Sequence, residues 1–207
     1  TYVSSTIMTA VGPCAFPAWS PDGSRIAFTG HVYPTDTGRH TRVWVVSASG
    51  GHAQAVADLL DRNVAASNGA RPTWTEDGTS IFFTVEDDGS TILVEAPRPD
   101  LRSRDGSDTL RIALGGRREV SAFAVTAGAA SIVAVVSTAG KPPAVHVARR
   151  VDGAWNETSL SDPNSIWQHT KSVGTVYRFE VQRPHDPISV WVHLPPASDV
   201  ATPRSVP

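Results

Sequence analysis

Ser67 is the residue that comes nearest to the setting of a catalytic nucleophile, in the string A-A-S-N-G at 65–69. An α/β-type serine hydrolase holds its nucleophile on a sharp strand-to-helix turn that reads G-x-S-x-G. The string here lacks the first glycine and lies between two segments that are rich in strand signals. We therefore predict that Ser67 belongs to a connection, and we assign no catalytic residue in this chain.

Metal and cofactor chemistry would need clustered ligands, and the sequence does not space its candidates in that way. The histidines show no H-E-x-x-H or comparable ligand pattern, and Asp87 with Asp88 lacks the spacing of a calcium-binding EF-hand loop. The sequence also lacks a glycine-rich phosphate loop between a strand and a helix. We therefore assign no metal-binding or cofactor-binding residue and expect the histidines at surface or turn positions. The seven histidines are His31, His40, His52, His146, His169, His185 and His193.

Charge and composition limit the partners that this chain can take. The net charge is −2 and the isoelectric point is near 6.3, with lysines and arginines scattered along the chain. A surface for nucleic acid or an anionic membrane is therefore not expected. The longest apolar run, at 132–136, fits one buried strand and is too short to cross a bilayer. With a single cysteine, Cys14, and no signal-peptide pattern, we expect a cytoplasmic protein and leave oligomerisation open.

A sequence motif occurs twice in the segments that are predicted to form strands. Residues 19–28 read W-S-P-D-G-S-R-I-A-F and residues 74–83 read W-T-E-D-G-T-S-I-F-F. Tryptophan, Asp-Gly, isoleucine and phenylalanine recur at equal spacing, and Asp-Gly between apolar stretches is a strong hairpin signal. A repeat of about 40–55 residues built from strand and turn signals is typical of a β-propeller.

Each copy predicts a four-stranded antiparallel blade that begins with the repeated tryptophan. Because Trp19 and Trp74 occupy equivalent positions, we expect both to pack in the core. A degenerate third copy at 125–134 aligns Val125 with Trp74 and Ile132 with Ile81, but it has lost the Asp-Gly pair. The later strands are predicted at 43–46 and 54–56 in blade 1, at 80–85, 91–95 and 109–113 in blade 2, and at 145–148 and 155–160 in blade 3.

The remaining tryptophans have no repeat position that explains them. Trp44 and Trp191 fall inside predicted strands, whereas Trp155 and Trp167 are less constrained. Aromatic side chains of this size usually pack in a core or across an interface. Stacking on a ligand is the minor alternative for each of them.

The tail of the chain departs from the blade pattern. Residues 177–181 and 188–194 alternate as two strands, joined by a turn at 185–187. The pair Pro195–Pro196 ends the second strand, and residues 197–207 look like a loop. We expect this chain to be a piece of a longer protein.

The blade sequences resemble the propeller of prolyl oligopeptidase-family serine peptidases, in the acylaminoacyl-peptidase and dipeptidyl-peptidase branch. The strings are F-P-A-W-S-P-D-G-S-R-I-A-F at 16–28, V-W-V-V-S-A-S-G-G at 43–51 and P-T-W-T-E-D-G-T-S-I-F-F at 72–83. In that family a propeller precedes an α/β-hydrolase catalytic domain. The tail at 177–197 resembles the crossing between the two domains, although Asp186 is followed by Pro187 where the family usually has glycine.

The resemblance implies a fold and a function, both held as expectations. The fold is all-β, a partial β-propeller of about three to four antiparallel four-stranded blades that runs into the first strands of an α/β-hydrolase domain. Residues 1–174 would be the blades, and residues 175–207 the last strands and a linker. The chain would be the non-catalytic, substrate-gating portion of a peptidase acting on short peptides, with the catalytic triad beyond residue 207.

Two other functions are compatible with blades. The first is a non-enzymatic propeller that binds protein partners, of the periplasmic Tol-system type, which the repeats support equally well. Its ring should close with a further blade or strand, whereas the tail of this chain favours the peptidase. The second is a carbohydrate-active enzyme, which has little support because no carboxylate pair stands out from the turn acids.

Overall fold

The computed structural model describes residues 6–7, 12–31, 40–57, 60–101, 110–166 and 173–196. Within these ranges the chain is all-β, as expected, and it forms three four-stranded antiparallel blades followed by a two-stranded hairpin. A single parallel bridge between Thr91 and Glu119 links the second and third blades. The partial propeller expected from the repeat is therefore present.

Each blade runs in simple strand order, with every strand paired to the next along the chain. Blade 1 contains β1 (Cys14–Trp19), β2 (Arg25–Gly30), β3 (Arg42–Ser47) and β4 (Gln54–Ala55). Blade 2 contains β5 (Thr73–Trp74), β6 (Ser80–Asp87), β7 (Ser90–Pro97) and β8 (Arg111–Leu114). Blade 3 contains β9 (Glu119–Val125), β10 (Ser131–Thr138), β11 (Lys141–Val151) and β12 (Ala154–Ser159), and the hairpin contains β13 (Thr175–Val181) and β14 (Ile188–Leu194).

The predicted strands are found, and the third copy has the same register as the first two. Trp19 pairs with Ile26, Trp74 with Ile81, and Val125 with Ile132. The degenerate copy is thus a true blade, although its sequence has lost the turn residues. Position 109, where a strand was predicted to begin, lies outside the described residues.

A hydroxyl side chain holds the first turn of every blade. The Oγ of Ser20 accepts from the backbone N–H of Arg25 at 2.9 Å and donates to its carbonyl at 3.2 Å. Thr75 makes the same pair of bonds with Ser80, and Thr126 makes them with Ser131. The hydroxyl position is therefore the part of the turn that persists in the third copy.

The turn carboxylate is present only in blades 1 and 2. Asp77 accepts hydrogen bonds from the hydroxyl of Thr75 at 2.6 Å and from the backbone N–H of Thr79 at 3.0 Å. Gly78 follows with a φ of 67°, a region that costs a glycine little. In blade 3 the corresponding residues are Gly128 and Ala129, and Ala129 adopts a φ of 49°.

The substitution Asp77→Asn is expected to weaken the acid dependence of stability. Hydrogen bonds from Thr75, then from Thr79, hold the pKa of Asp77 below its ordinary value of 3.8. A lowered folded-state pKa adds stability that is fully present above the unfolded pKa, about 3.9, and is lost as the pH falls through the folded value. The free energy of unfolding of Asp77→Asn, measured in urea at each pH, should therefore fall less steeply below about pH 4 than that of the wild type.

Asp61→Asn is the matched control for this pH series, since the Asp61 side chain is 90% exposed. It should keep the acid slope of the wild type. Equal slopes for Asp77→Asn and the wild type would show that the turn carboxylate does not contribute to acid stability.

Blade 2 is the central layer, and its two long strands are buried on both faces. Ile81 and Phe83 pack in a core that blades 1 and 2 share, whereas Phe82 and Leu93 pack against blade 3. Such continuous apolar strands are typical of a sheet covered on both sides. The buried core therefore consists of two blade-to-blade junctions.

The expectation that Trp19 packs in the core is wrong. Trp74 is 8% exposed because its indole lies against blade 1, where Nε1 donates to the Ala18 carbonyl at 3.1 Å. Trp19 occupies the same register position but is 63% exposed, since no blade lies against its face in the described structure. The repeat predicts the strand position of this residue, while its burial depends on a neighbouring blade.

Among the described residues, no helix is long and apolar enough to span a bilayer.

Candidate functional site

The candidate site lies at the end of blades 2 and 3 where the β13–β14 hairpin packs. The turn 88–89 of blade 2, the turn 139–140 of blade 3 and the connection 115–118 meet there. We name this region the hairpin end. Here an ion pair and a tryptophan of the tail contact blade 2, and a groove lies between the tail and the blades.

An ion pair anchors the hairpin to blade 2. The Nε of Arg178, on β13, lies 2.7 Å from Oδ2 of Asp88. The Oδ1 of Asp88 also accepts from Ser189 on β14 at 3.0 Å. The hydrogen bond from Arg178, with a smaller contribution from Ser189, lowers the pKa of Asp88, and Asp88 in turn raises the pKa of Arg178.

The turn beneath this ion pair requires glycine for two reasons. Asp88 and Gly89 have φ values of 47° and 72°, which is the pattern of a two-residue type I′ hairpin turn. The indole of Trp191 lies directly over Gly89, so that a Cβ on this residue would come within 2.7 Å of the ring. The predicted acidic turn at 86–89 is therefore a docking point for the hairpin, with the strands extending further than predicted, to Asp87 and from Ser90.

A groove runs along the hairpin end. One part, about 730 Å³, lies between the hairpin and the two blades, and a second part, about 560 Å³, continues along blade 3. Arg118, Ser137 and Thr138 line both parts. The groove is open to solvent, and its walls combine apolar side chains such as Val136 and Trp191 with polar and charged ones.

A polar triplet of Arg118, His146 and Glu157 forms the blade 3 wall of the groove. Nη1 of Arg118 donates to both oxygens of Glu157, at 2.7 and 2.6 Å. Nδ1 of His146 lies 2.7 Å from Oε1 of the same carboxylate. The triplet can hold polar groups of a ligand by charge-assisted hydrogen bonds.

These three residues were not predicted from the sequence. Arg118 precedes β9, His146 lies on β11 and Glu157 on β12, and only the fold of blade 3 brings them together. No short motif joins them. The two adjacent arginines at 117–118 are visible in the sequence, but nothing in their spacing links them to His146 or Glu157.

Ser67 lies in the connection between blades 1 and 2, as predicted. Its Oγ donates to the backbone carbonyl of Ser121 at 3.4 Å. Gly69 is explained by packing, because a Cβ there would lie 2.8 Å from the Cβ of Ala122. The resemblance of this string to a nucleophile motif therefore has a structural origin.

Two of the other tryptophans have structural partners. Trp44 donates from Nε1 to the Gly30 carbonyl at 2.8 Å, and Trp155 packs edge-on against Phe82 with ring centroids 6.2 Å apart. Trp167 and His169 lie outside the described residues. Within the described ranges, no group of three or more histidine, cysteine or acidic side chains is placed to hold a metal ion.

The chain shares its fold with segments of several peptidases of known structure. The chain is similar to the acylaminoacyl peptidase of Pyrococcus horikoshii, with a TM-score of 0.62 and 18% identity over 84% of this chain and 24% of that chain. It is similar to an acylaminoacyl peptidase in complex with Z-Gly-Gly-Phe-chloromethyl ketone, with a TM-score of 0.60 and 18% identity over 86% of this chain and 25% of that one. The AtxE2 isopeptidase with bound Astexin3-dC4 matches with a TM-score of 0.63 and 15% identity over 92% of this chain and 27% of that one.

These similarities establish a shared fold. The chain spans about a quarter of the length of the peptidases it matches. No family model matches the chain, and no curated protein matches it in sequence.

Proposed function

We propose that this chain is the propeller portion of a serine peptidase that hydrolyses short peptides. Its catalytic serine, histidine and aspartate would lie on polypeptide that follows residue 207. Residues 1–174 would form blades, and residues 175–207 would contain the last strands and the linker into an α/β-hydrolase domain. On this proposal the chain itself performs no acyl transfer, and it acts in the cytoplasm.

The observation that carries the proposal is the position of the β13–β14 hairpin. After blade 3 the chain forms two strands that dock on the blade 2 turn at 88–89 through Arg178, Ser189 and Trp191. A protein-binding propeller would be expected to continue with a blade packed side by side. A hairpin fixed at the blade ends instead suits a chain that is passing into another domain.

The hairpin end would then face the catalytic domain, and the propeller would limit access to it. The groove lined by Arg118, His146 and Glu157 offers polar contacts for an extended peptide at that boundary. A covering propeller admits short or unfolded peptides and keeps folded proteins away from the acyl-transfer site. The similar acylaminoacyl peptidase in complex with Z-Gly-Gly-Phe-chloromethyl ketone holds a peptide derivative, which supports this substrate class.

The test is to determine the coding sequence after the codon for Pro207 and to express the protein that it encodes. We expect a G-x-S-x-G string followed by aspartate and histidine, labelling of that serine by a fluorophosphonate, and hydrolysis of short peptide substrates but not of a folded protein. The 207-residue chain, tested alongside, should show neither labelling nor hydrolysis. A coding sequence that stops or continues only with blades would overturn the proposal and favour the Tol-type binding propeller.

A further inference from the structure

The string A-A-S-N-G at 65–69 contains an Asn-Gly pair in addition to the serine considered above. Asn68 is the only asparagine of the chain that precedes a glycine, since the other three precede valine, glutamate and serine. An asparagine before glycine is prone to spontaneous loss of its side-chain amide, because glycine has no side chain to hinder attack by its own backbone nitrogen. The surrounding groups decide whether the folded chain favours or opposes that attack.

Asn68 and Gly69 form the tip of a tight turn in the connection between blades 1 and 2. The backbone N–H of Ala70 donates to the Ser67 carbonyl at 3.1 Å, and the N–H of Ser67 donates to the Ala70 carbonyl at 3.4 Å. Ser67, Asn68 and Gly69 are all exposed. Water therefore reaches the pair, as the loss of the amide requires.

The side-chain amide of Asn68 is polarised at its oxygen and unrestrained at its nitrogen. Its Oδ1 accepts a hydrogen bond from Nη2 of Arg71 at 3.2 Å. A cationic donor on a carbonyl oxygen withdraws electrons from the carbon and stabilises the negative charge that develops on the oxygen during attack. Among the described residues, neither Nδ2 of Asn68 nor the backbone N–H of Gly69 has a hydrogen-bond acceptor. The attacking nitrogen and the leaving nitrogen are therefore both available.

Asn63, in the same connection, provides the contrast. Its Oδ1 accepts from the N–H of Thr41 at 3.0 Å, and its Nδ2 donates to Glu86 at 3.1 Å. The next residue, Val64, is buried and β-branched, and its N–H donates to the Thr41 carbonyl at 3.0 Å. Both nitrogens that would have to react are therefore engaged at Asn63.

We propose that Asn68 is a site of spontaneous modification in the folded chain, where the side-chain amide is lost and Arg71 promotes the reaction. The backbone nitrogen of Gly69 forms a bond with Cγ of Asn68, the bond between Cγ and Nδ2 breaks, and the proton of the Gly69 amide leaves with Nδ2 as ammonia. Water then opens the succinimide ring at either carbonyl and leaves aspartate or isoaspartate at position 68. One water is consumed and one ammonia is released, so the reaction needs no enzyme, oxidant or cofactor.

The product alters how the connection is attached to blade 3. The Gly69 carbonyl accepts from the N–H of Phe123 on β9 at 2.9 Å, and Oγ of Ser67 donates to the Ser121 carbonyl at 3.4 Å. Isoaspartate adds a methylene group to the main chain between these two attachment points, so the turn must shift against β9. The modification therefore loosens a fixed connection. The proposal rests on this turn and not on the proposed peptidase function.

The experiment follows the intact folded chain by mass spectrometry while it is held at mildly alkaline pH. Conversion of the amide to a carboxylate raises the mass by about 1 Da, and an L-isoaspartyl methyltransferase labels the isoaspartate fraction. Fragmentation of the proteolytic peptide that holds both asparagines assigns the change, and we expect it at Asn68 while Asn63 keeps its amide. In the modified chain, hydrogen-exchange protection of the Phe123 amide should fall about threefold or more.

Substitution of Arg71 separates the effect of the fold from that of the local sequence. Arg71→Gln removes the cationic donor and should slow the loss of the amide about threefold in the folded chain. In urea the variant and the wild type should react alike, because the unfolded chain no longer places the guanidinium on Oδ1. Arg71→Lys should recover part of the rate. Arg149→Gln, at an exposed position on β11, is the matched control and should react like the wild type. Circular dichroism checks that each variant folds.

Three results would overturn the proposal. The first is a folded chain that keeps the amide of Asn68 while the unfolded chain loses it, which would show that the turn protects the pair. The second is an equal rate for Arg71→Gln and the wild type in the folded state, and the third is unchanged protection of Phe123 after modification. None of these results bears on whether a catalytic domain follows residue 207, so the two proposals can fail separately.

Discussion

Replacing Glu95 with alanine is expected to lower the free energy of unfolding by about 3–5 kcal/mol. Glu95 lies on β7 of blade 2 with its side chain 7% exposed, and its carboxylate accepts a hydrogen bond from Arg150 of blade 3. The Arg150 guanidinium lies 4.6 Å from the centre of the Trp155 ring, and that ring packs edge-on against Phe82. Removing the carboxylate leaves a half-buried cation without its partner in the junction.

The size of this effect follows from where the charge is buried. An exposed ion pair contributes about 0–1 kcal/mol because water and salt screen it. The pair of Glu95 and Arg150 lies between two blades, where a lone charge loses hydration without compensation. For a domain whose whole stability is about 5–15 kcal/mol, the expected loss is a large fraction.

Urea unfolding of the wild type and of Glu95→Ala measures the loss directly. Asp87→Ala is the matched control, since Asp87 pairs with Arg62 but both side chains are more than 40% exposed. It should change the free energy of unfolding by about 1 kcal/mol or less. A loss from Glu95→Ala no larger than the control would mean that the buried pair does not stabilise the junction.

The double variant Glu95→Val with Arg150→Met tests the cause of the loss. Glu95 occupies the register position of Val45 in blade 1 and Val147 in blade 3, so valine suits the backbone there. Replacing both members of a buried pair by apolar residues is often neutral or stabilising by about 1–4 kcal/mol. The double variant should therefore be much more stable than Glu95→Ala, and a double variant as unstable as the single one would contradict this explanation.

The blade architecture could be predicted because it depends on local signals. The register of each blade follows from the tryptophan or valine at the start of the motif and the isoleucine seven positions later, as at Val125 and Ile132. The hydroxyl residue that recurs in the first turn of all three blades was harder to recognise, because a single hydroxyl such as that of Thr126 is common in any loop.

The candidate site could not be predicted because it depends on contacts between distant segments. Arg118 and Glu157 are 39 positions apart, and Arg178 and Asp88 are 90 positions apart. Nothing in the local sequence of either member requires the other. The exposure of Trp19 has the same cause, since a repeat specifies which face a residue is on but not what packs against that face.

Replacing Gly89 with alanine is expected to release the β13–β14 hairpin from the blades. The new methyl group would lie within 2.7 Å of the Trp191 ring, so the indole must move. Trp191 is held near this position by the neighbouring ion pair between Arg178 and Asp88. Overpacking of this kind costs about 1–3 kcal/mol, so protection of the hairpin amides in hydrogen exchange should fall by about tenfold or more.

Gly153→Ala separates the backbone effect of this substitution from the clash. Gly153 has a φ of 80° in the turn between β11 and β12, against 72° for Gly89, and a Cβ at Gly153 would meet no atom within 4 Å. Both variants carry the cost of a left-handed alanine, about 1–2 kcal/mol. Only Gly89→Ala should lose protection selectively across 175–194, while Gly153→Ala should leave the hairpin protected.

Adding Trp191→Ala to Gly89→Ala removes the clash by removing the indole that the new methyl group would meet. If the indole is the group that the methyl displaces, the ion pair of Arg178 with Asp88 should hold the hairpin more closely in the double variant than in Gly89→Ala. The hairpin amides should then regain part of their protection, although the indole contact is lost. Equal protection in Gly89→Ala and Gly153→Ala would instead show that the hairpin does not depend on this turn, and the proposal that the hairpin end faces a following domain would lose its support.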